Sequence, residues 1–160
     1  MELKTVRLEV PEDANIIIGT AHFIKAIEDI YEAVATSVPD ARFGAAFCEA
    51  SGPCLVRVEG TDEGLKRCAS GNAAAIGAGH CFVVVMKGAF PIHCLNALKS
   101  CAEVCTIYCA TANAVELIVA ETAGGRAVLG VVDGASPKGV ETEEDVRERK
   151  GFLRKIGYKL

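Results

Sequence analysis

The run Cys81-Phe82-Val83-Val84-Val85-Met86 is the stretch on which the fold depends. Its side chains are apolar without alternation, a pattern typical of a strand buried within a sheet. The longest apolar segment, Phe82 to Met86, is far shorter than the roughly 20 residues that a membrane-spanning helix needs. Gly77-Ala78-Gly79-His80 stands directly before the run and would place one imidazole at the margin of the sheet. The centre of the chain therefore predicts a buried strand with a histidine at its entrance.

Apolar periodicity on either side of this run predicts further elements. The expected strands are Thr5–Val10, Ile16–Ile18, Arg42–Cys48, Leu55–Glu59, Val104–Cys109, Val115–Ala120 and Ala127–Val132. The expected helices are Thr20–Ser37 with Thr20 as N-cap, Asp62–Ile76, Pro91–Ala102, and Glu143–Ile156 with a capping box of Thr142 and Asp145. The order has no internal repeat and no linker. We expect one compact α/β domain of mixed α+β class over residues 1–160, with a mixed sheet and three to four helices.

The composition fits a globular protein with one good core. Of 160 residues, 51% are hydrophobic and 24% charged, which excludes disorder and fibrous repeats. The net charge of −4 gives no overall attraction to nucleic acid or to an anionic membrane, so we expect neither as a partner. The segment Met1-Glu2-Leu3-Lys4-Thr5 begins with alternating charge and not with the basic and apolar stretches of an export signal, so we expect a cytoplasmic location. The eight cysteines include no CxxC pair. We therefore expect reduced thiols and no structural metal.

Polar and glycine residues concentrate in loops at the ends of the predicted strands, where α/β domains usually hold ligands. The loop Asp133-Gly134-Ala135-Ser136-Pro137-Lys138-Gly139 offers a carboxylate, a hydroxyl, an amine and flexible backbone amides, a set that suits phosphate. The loop lacks the Gly-Lys-Ser/Thr ending of a P-loop, so taken alone it favours an ordinary strand-to-helix turn. Gly77 and Gly79 would let a ligand approach His80 closely, although the same residues also fit a helix C-cap.

Three further clusters could contact a ligand. His22 and Lys25 fall in the first turn of the first predicted helix, where free amides favour an anion. Side chains able to hydrogen-bond a ribose or base edge lie in two loops, at Glu49 and Ser51 and at Thr111 and Asn113. The chain has no P-loop, no HExxH zinc motif and no Rossmann fingerprint. The residues alone therefore predict a small, anionic ligand and no more.

Several segments, taken in order, resemble one known family. They are His22-Phe23-Ile24-Lys25, Val38-Pro39, Phe43-Gly44, Phe47-Cys48-Glu49-Ala50-Ser51-Gly52, Gly77-Ala78-Gly79-His80, Leu95-Asn96-Ala97, Ala110-Thr111-Ala112-Asn113, Gly130-Val131-Val132-Asp133-Gly134 and Lys155-Ile156-Gly157-Tyr158-Lys159-Leu160. This series resembles the adenosine-specific kinases, small single-domain proteins that are mainly archaeal and bacterial. His93 and Cys94 depart from the family's usual Asn and Val, which leaves the role of that stretch open.

The resemblance implies binding of adenosine or AMP and a histidine that carries a phosphoryl group. His80 matches the family motif most closely, and His22 with Lys25 is the alternative. Combined with the residue chemistry, this predicts phosphoryl transfer to the ribose 5′-hydroxyl, with Asp133 accepting the proton or holding Mg²⁺. The residues expected to contact phosphate are Arg126, Gly134, Ser136, Lys138 and Gly139. Those expected to contact the nucleoside are Glu49, Ser51, Thr111 and Asn113.

Two other classes of function stay open at this stage. One is a sensor that binds adenosine or AMP without turnover, which the lack of a recognisable ATP site favours. The other is an assembly protein whose polar loops are interface turns. The apolar excess is consistent with the homo-oligomer that we expect. The sequence identifies neither the phosphoryl donor nor the number of subunits.

Overall fold

A computed structural model describes all 160 residues as eight strands, four α-helices and one 3₁₀ turn. The strands are β1 Glu2–Arg7, β2 Asn15–Ala21, β3 Arg42–Cys48, β4 Val56–Gly60, β5 Cys81–Lys87, β6 Val104–Thr111, β7 Val115–Thr122 and β8 Gly125–Asp133. The helices are α1 Ala26–Ser37, α2 Glu63–Ile76, α3 Leu95–Ser100 and α4 Glu143–Lys155, with the 3₁₀ turn at Pro91–His93. This confirms the mixed α+β class and a single domain.

The strands form two antiparallel sheets, where we expected one mixed sheet. Five strands follow the order β4-β3-β5-β2-β6, and three follow the order β1-β7-β8. The apolar run that begins at Cys81 is β5, the central strand, with β2 and β3 as antiparallel neighbours. Its residues 81–86 are all buried, as the unbroken apolar pattern predicts.

Two apolar cores lie on opposite faces of the five-stranded sheet. One core joins this sheet to α2 and to the inner face of β1-β7-β8, through residues such as Ile18, Ala73 and Leu117. The other packs α1 and α3 against the opposite face, through residues such as Ile30 and Phe47. The five-stranded sheet is therefore covered on both sides, and the histidine that precedes β5 lies at one of its ends.

Helix α2 is fixed to the sheet by its sequence at both ends and in the middle. Asp62 caps it by accepting a hydrogen bond from the Leu65 amide at 2.9 Å, and Gly77 ends it in the left-handed conformation. A Cβ added to Gly44 in β3 would lie 2.3 Å from the Leu65 backbone. The helix can approach the sheet this closely only because position 44 is glycine.

The first predicted helix begins later than we expected. Thr20 and Ala21 belong to β2, where they pair with Cys81 of β5 and Val104 of β6, so Thr20 is not an N-cap. Helix α1 starts at Ala26 and has no side-chain cap. The pairing of β2 between two neighbouring strands outweighs the local preference of threonine for a helix start. His22 therefore lies in the loop between β2 and α1 and not in a helical turn.

The last helix, α4, begins as predicted. The Thr142 hydroxyl accepts from the Asp145 amide at 3.3 Å, and an Asp145 carboxylate oxygen accepts from the Thr142 amide at 2.7 Å. This reciprocal pair is the predicted capping box, with aspartate in the glutamate position. No residue of α4 is buried. No helix of the chain is both long enough and apolar enough to span a membrane.

Candidate functional site

The two histidines proposed as alternatives lie side by side. His22 directly follows β2 and His80 directly precedes β5, and these two strands are antiparallel neighbours. Their ring centroids are 6.1 Å apart and the ring planes are nearly perpendicular. We call the end of the five-stranded sheet where β2 and β3 end and β5 begins the histidine end. The structure thus gathers both candidates into one site.

The backbone and the ring of His80 are both held in place. Its amide donates to the Cys48 carbonyl at 2.7 Å, and its carbonyl accepts from the Ala21 amide at 2.9 Å. The residue has φ +63°, a conformation that is uncommon for side chains other than glycine and often occurs at functional sites. Its ring stacks on buried Phe47, with centroids 5.8 Å apart. The imidazole therefore has a fixed position at the sheet margin.

The glycines before His80 have packing and capping roles, and both also border a groove. A Cβ on Gly79 would lie 2.8 Å from the Cβ of Ala50, so the loop after β3 fills that space. Gly77 has φ +62° and forms the C-cap of α2. Because buried Phe47 covers one face of the His80 ring, a ligand reaches this ring only at its edge or on its other face.

The loop that carries His22 is tied to the start of β6. The His22 amide donates to the Glu103 carbonyl at 2.6 Å, and the Glu103 carboxylate contacts the Lys25 ammonium at 2.6 Å. Lys25 also pairs with Asp29. Hydrogen bonds to Asp29 and Glu103 raise the pKa of Lys25 well above its ordinary value. The ammonium is thus charged and already neutralised by two carboxylates.

The first turn of α1 is not the free anion site that we expected beside His22 and Lys25. The amides of residues 26–29 donate to carbonyls of Phe23, Ile24 and Lys25. Phe23 has φ +76°, and this turn lets the loop supply those carbonyls. An anion at this place would find few unused donors. The contribution of His22 comes from its ring, which is exposed next to His80.

Arg57 in β4 is a candidate site residue that the sequence analysis missed. It pairs in register with Phe47, so its side chain emerges on the same face as Phe47. One guanidinium nitrogen donates to a Glu49 carboxylate oxygen at 3.0 Å, while the buried Nε has no hydrogen-bond partner. The same Glu49 oxygen accepts from the Leu55 amide at 3.1 Å. Glu49 therefore holds both Arg57 and its own loop.

A groove of about 640 Å³ runs between α1 and β4 on this face. Its walls include Ile24, Lys25, Glu28 and Arg57. Its size is within the roughly 300–1,000 Å³ of typical small-molecule sites. The only sequence signal for this groove was Arg57 itself. It stands in a strand of alternating apolar and polar residues, where an arginine is typical of an ordinary solvent-facing position.

A second groove, of about 580 Å³, lies on the other side of the loop at residues 49–55. Arg126 borders it, but its guanidinium is engaged with Glu121 at 2.6 Å and with the carbonyls of Ala75 and Ile76 at 3.0 and 3.4 Å. A cation at the C-terminus of α2 is favourable for the helix dipole. Ser51 is exposed in the adjoining loop. The structure thus places Arg126 near the histidine end, in a structural contact.

The remaining predicted residues lie at the opposite end of the sheet. Thr111 pairs with Ile16 while Val104 pairs with Ala21, so five residues of β2 separate Thr111 from the histidine end by about 17 Å. Asn113 donates from its amide to Asp133 at 3.0 Å and from its backbone to Thr111 at 3.0 Å. The structure does not bring Asp133, Thr111 or Asn113 to His80.

The loop after Asp133 leads away from the sheet. Gly134 donates to the Ala114 carbonyl at 3.0 Å, and the next loop residues of the predicted phosphate set are exposed, namely Ser136, Lys138 and Gly139. No group of three or more histidine, cysteine or acidic side chains is arranged to hold a metal ion. Asp133 provides one carboxylate that is partly used by Asn113, so these residues do not by themselves form a site for Mg²⁺.

Comparison with known proteins gives a clear result. A family model described as adenosine specific kinase matches residues 6–159. Among solved structures, the chain is similar to the crystal structure of the PH1918 protein from Pyrococcus horikoshii OT3, with 44% sequence identity and a TM-score of 0.96. That match covers 99% of this chain and 98% of the other. A search of curated proteins gave no match.

Proposed function

The chain belongs to the adenosine specific kinase family, and from this premise we propose that it transfers a phosphoryl group to the 5′-hydroxyl of adenosine through a phosphohistidine at His80. The observation that carries the proposal is the histidine pair, with ring centroids 6.1 Å apart at the end of the central strands. The two imidazoles are close enough that a phosphoryl group bound at the edge of one ring would lie beside the other ring. Histidine is suited both to carry a phosphoryl group and to exchange a proton near neutral pH.

The reaction has two steps that balance. In the first, a ring nitrogen of His80 attacks the terminal phosphorus of a phosphoanhydride donor, a P–N bond forms, and the leaving group departs with the electron pair of the broken P–O bond. In the second, the 5′-oxygen of adenosine attacks that phosphorus, and the P–N electron pair returns to the ring. The hydroxyl proton passes to His22. The fixed backbone of His80 supports both steps because phosphoryl transfer depends mainly on positioning.

We assign the nucleoside to the groove between α1 and β4. Arg57 borders the groove and shares its face with Phe47, on which His80 stacks. The unpartnered Nε of Arg57 is a buried donor, and a buried donor without a partner is costly. The Arg57 side chain as a whole is 35% exposed, so a small shift of the guanidinium on binding would let Nε donate to an oxygen of a phosphate or ribose in the groove. Glu49 positions this guanidinium, and Ser51 lies in the same loop.

The proposal leaves the predicted residues at the other end of the sheet out of this step. Thr111 lies about 17 Å from the histidine end along β2, and Asn113 hydrogen-bonds both Thr111 and Asp133 there. His22 therefore takes the role of proton acceptor that the sequence analysis gave to Asp133. Arg126 supports the end of α2 and does not contact the phosphate in this scheme.

The test is an incubation of the purified protein with adenosine and a series of phosphoanhydride donors, followed by measurement of AMP and of the intact mass. His80→Gln should abolish both AMP formation and the mass increase of one phosphoryl group. His22→Gln should still accept the phosphoryl group but form AMP about 100-fold more slowly, since a general base is lost. His93→Gln, on the 3₁₀ turn, is the matched control and should behave as the unmodified chain.

Two results would overturn the assignment. If His80→Gln still gains a phosphoryl group, the covalent step belongs to another residue. If the unmodified chain binds AMP but no donor yields AMP, binding without turnover replaces the kinase proposal.

The groove assignment has its own test. Arg57→Ala should weaken AMP binding about tenfold, the effect of losing one hydrogen bond to a charged group. Adenosine binding should change less, because the nucleoside lacks the phosphate. Arg67→Ala, an exposed arginine of α2, is the control. Equal loss of affinity for both ligands would place Arg57 away from the phosphate.

A further inference from the structure

The segment after β8 extends from the domain and has no apolar core of its own. We call residues 134–160 the C-terminal arm. Its helix α4 contains no buried residue, and the arm exposes Val140, Phe152, Ile156, Tyr158 and Leu160. Phe152 remains 59% exposed and Ile156 43% exposed. Single exposed apolar side chains are common, but so many within one short segment indicate a contact surface.

The sequence nevertheless specifies this segment as a helix. Thr142 and Asp145 form a reciprocal capping box, and Glu143 and Glu144 stand in the first turn. Arg154 and Lys155 stand in the last turn, so the charges match the helix dipole at both ends. An isolated helix of 13 residues is marginal in water even with such signals. Its apolar side chains therefore need a surface to pack on.

The outer face of the three-stranded sheet is such a surface. Leu117 and Val119 of β7 are buried, so Ile118 between them points away from the core. Leu3, Leu129 and Val132 are also exposed, and Leu129 stands at the register shift between β7 and β8. This face of β1-β7-β8 is apolar and uncovered, while its other face packs on the core.

The arm does not cover this face in its own chain. The four side chains remain exposed with the arm present, the least exposed being Ile118 at 38%. The tail instead lies at the 3₁₀ turn, where the ring centroids of Tyr158 and His93 are 6.4 Å apart. The structure of the Pyrococcus horikoshii relative matches over 99% of this chain with a TM-score of 0.96, so its chain follows the same course in the arm.

We propose that the C-terminal arm of each chain packs on the outer face of the three-stranded sheet of a second copy. A helix laid on a sheet face is the usual way in which α+β proteins cover an apolar sheet. Both surfaces belong to the same chain, so two copies that exchange arms leave neither surface uncovered and form a closed assembly. A specific interface takes about 20–30 residues on each side, which the arm at residues 134–160 approaches in length.

Charged groups fit the rim of this contact. Arg7 and Glu116 pair across β1 and β7 and border the apolar side chains, beside Val132. The arm carries carboxylates at the start of α4 and guanidinium and ammonium groups at its end. Because Arg7 and Glu116 are cross-strand neighbours, one end of α4 can lie against the oppositely charged member of this pair, in the polar border that interfaces usually have.

Sedimentation velocity over a range of concentrations tests the exchange. The unmodified chain should sediment as two or more chains. The arm variant Phe152→Lys with Ile156→Lys and the sheet variant Leu129→Lys should each need at least about tenfold higher concentration to associate, because each buries an unpaired charge. Leu55→Lys, at an exposed apolar position of the loop between β3 and β4 and outside both surfaces, is the matched control and should associate normally.

A mixture identifies the contact. In an equimolar mixture of the arm variant and the sheet variant, the intact arm of one chain meets the intact sheet of the other, so association should recover in part. Circular dichroism checks that each variant keeps its fold. A monomeric unmodified chain would overturn the proposal, as would variants that associate normally. A mixture that stays dissociated would show that the arm contacts something other than the sheet.

Discussion

Helices α2 and α4 have nearly the same length, but α2 packs into the core and α4 is exposed. They contain 14 and 13 residues, and a side chain caps each at its N-terminus, Asp62 in α2 and Thr142 in α4. Yet α2 buries six residues and α4 buries none. Capping and charge placement thus specify that a helix forms, but only the apolar pattern determines whether it joins the core of its own chain.

The difference comes from the side chains that each helix turns to its surroundings. Helix α2 presents small residues such as Ala69 and Ala73 to the sheet, so the backbones approach closely over Gly44. Helix α4 is dominated by charged residues and carries only a narrow apolar strip. We expect α2 to unfold together with the whole domain and α4 to unfold by itself. Four measurements test this contrast.

The largest effect should follow from Gly44→Ala. The added methyl group would lie 2.3 Å from the Leu65 backbone, and backbone on both sides would have to move. Overpacking of this kind should lower the free energy of unfolding by about 3 kcal/mol. Chemical denaturation followed by circular dichroism measures it. A change below about 1 kcal/mol would mean that α2 can move away from the sheet without cost.

The second effect should follow from Asn72→Ala. Asn72 of α2 is buried, accepts from the Glu9 amide at 2.8 Å and donates to the Glu9 carbonyl at 2.8 Å. Its removal leaves both backbone groups without these partners, so we expect a loss of about 2 kcal/mol. Ser70→Ala, at a half-buried neighbour whose hydroxyl donates only to the Arg67 carbonyl of the same helix, is the control. An equal effect at both positions would contradict the anchoring role.

The third prediction is that acid pH affects the stability of the two helices in different ways. The backbone hydrogen bond from Leu65 lowers the pKa of Asp62, and those from the Thr142 amide and hydroxyl lower the pKa of Asp145. A carboxyl group whose pKa is lower in the folded state than in the unfolded state stabilises the fold at pH values above its unfolded pKa. This contribution disappears as the pH falls through the folded pKa.

Both carboxylates should therefore titrate below the ordinary aspartate range in an NMR titration. Protonation of Asp62 should lower the stability of the whole domain, whereas protonation of Asp145 should reduce only the order of the arm. Asp62→Asn and Asp145→Asn distinguish the two, since each variant removes one acid-dependent contribution. If Asp145→Asn changed the acid dependence of global unfolding, α4 would be part of the cooperative core.

Local signals in the sequence predicted the elements better than the site. The apolar run at 81–86 and the caps of α2 and α4 act through neighbouring residues, so their elements follow from the sequence. The start of α1 does not, because Thr20 is held in β2 by partners more than 60 residues away. Sheet order depends on such distant pairings throughout.

The residues of the candidate site likewise fall into those that the sequence predicted and those that only the fold reveals. His80, His22 and Glu49 were singled out by type and loop position, and the structure places all three at the histidine end. Asp133 and Lys138 were assigned to the same site because their chemistry suits phosphate, but strand register places Asp133 at the other end of the sheet. Arg57 was missed because its unpartnered Nε depends on the fold around β4 and leaves no mark in the sequence.

The smallest effect gives the most direct comparison, because the same change can be made in both helices. Gly71 of α2 and Gly151 of α4 each have open space where a Cβ would be. Alanine favours a helix interior over glycine by about 0.8–1.0 kcal/mol, so each substitution strengthens its helix locally by a similar amount. In Gly71→Ala this gain should appear in the free energy of global unfolding. In Gly151→Ala the free energy of global unfolding should stay unchanged. Hydrogen exchange in the arm should instead slow about fivefold, because the same gain in helix stability makes local opening of α4 rarer by that factor. The comparison is made at a concentration where the chain is dissociated, since a partner that covers the arm would also slow its exchange. A global gain from both substitutions would show that α4 unfolds with the core, and the contrast with α2 would then be one of exposure only.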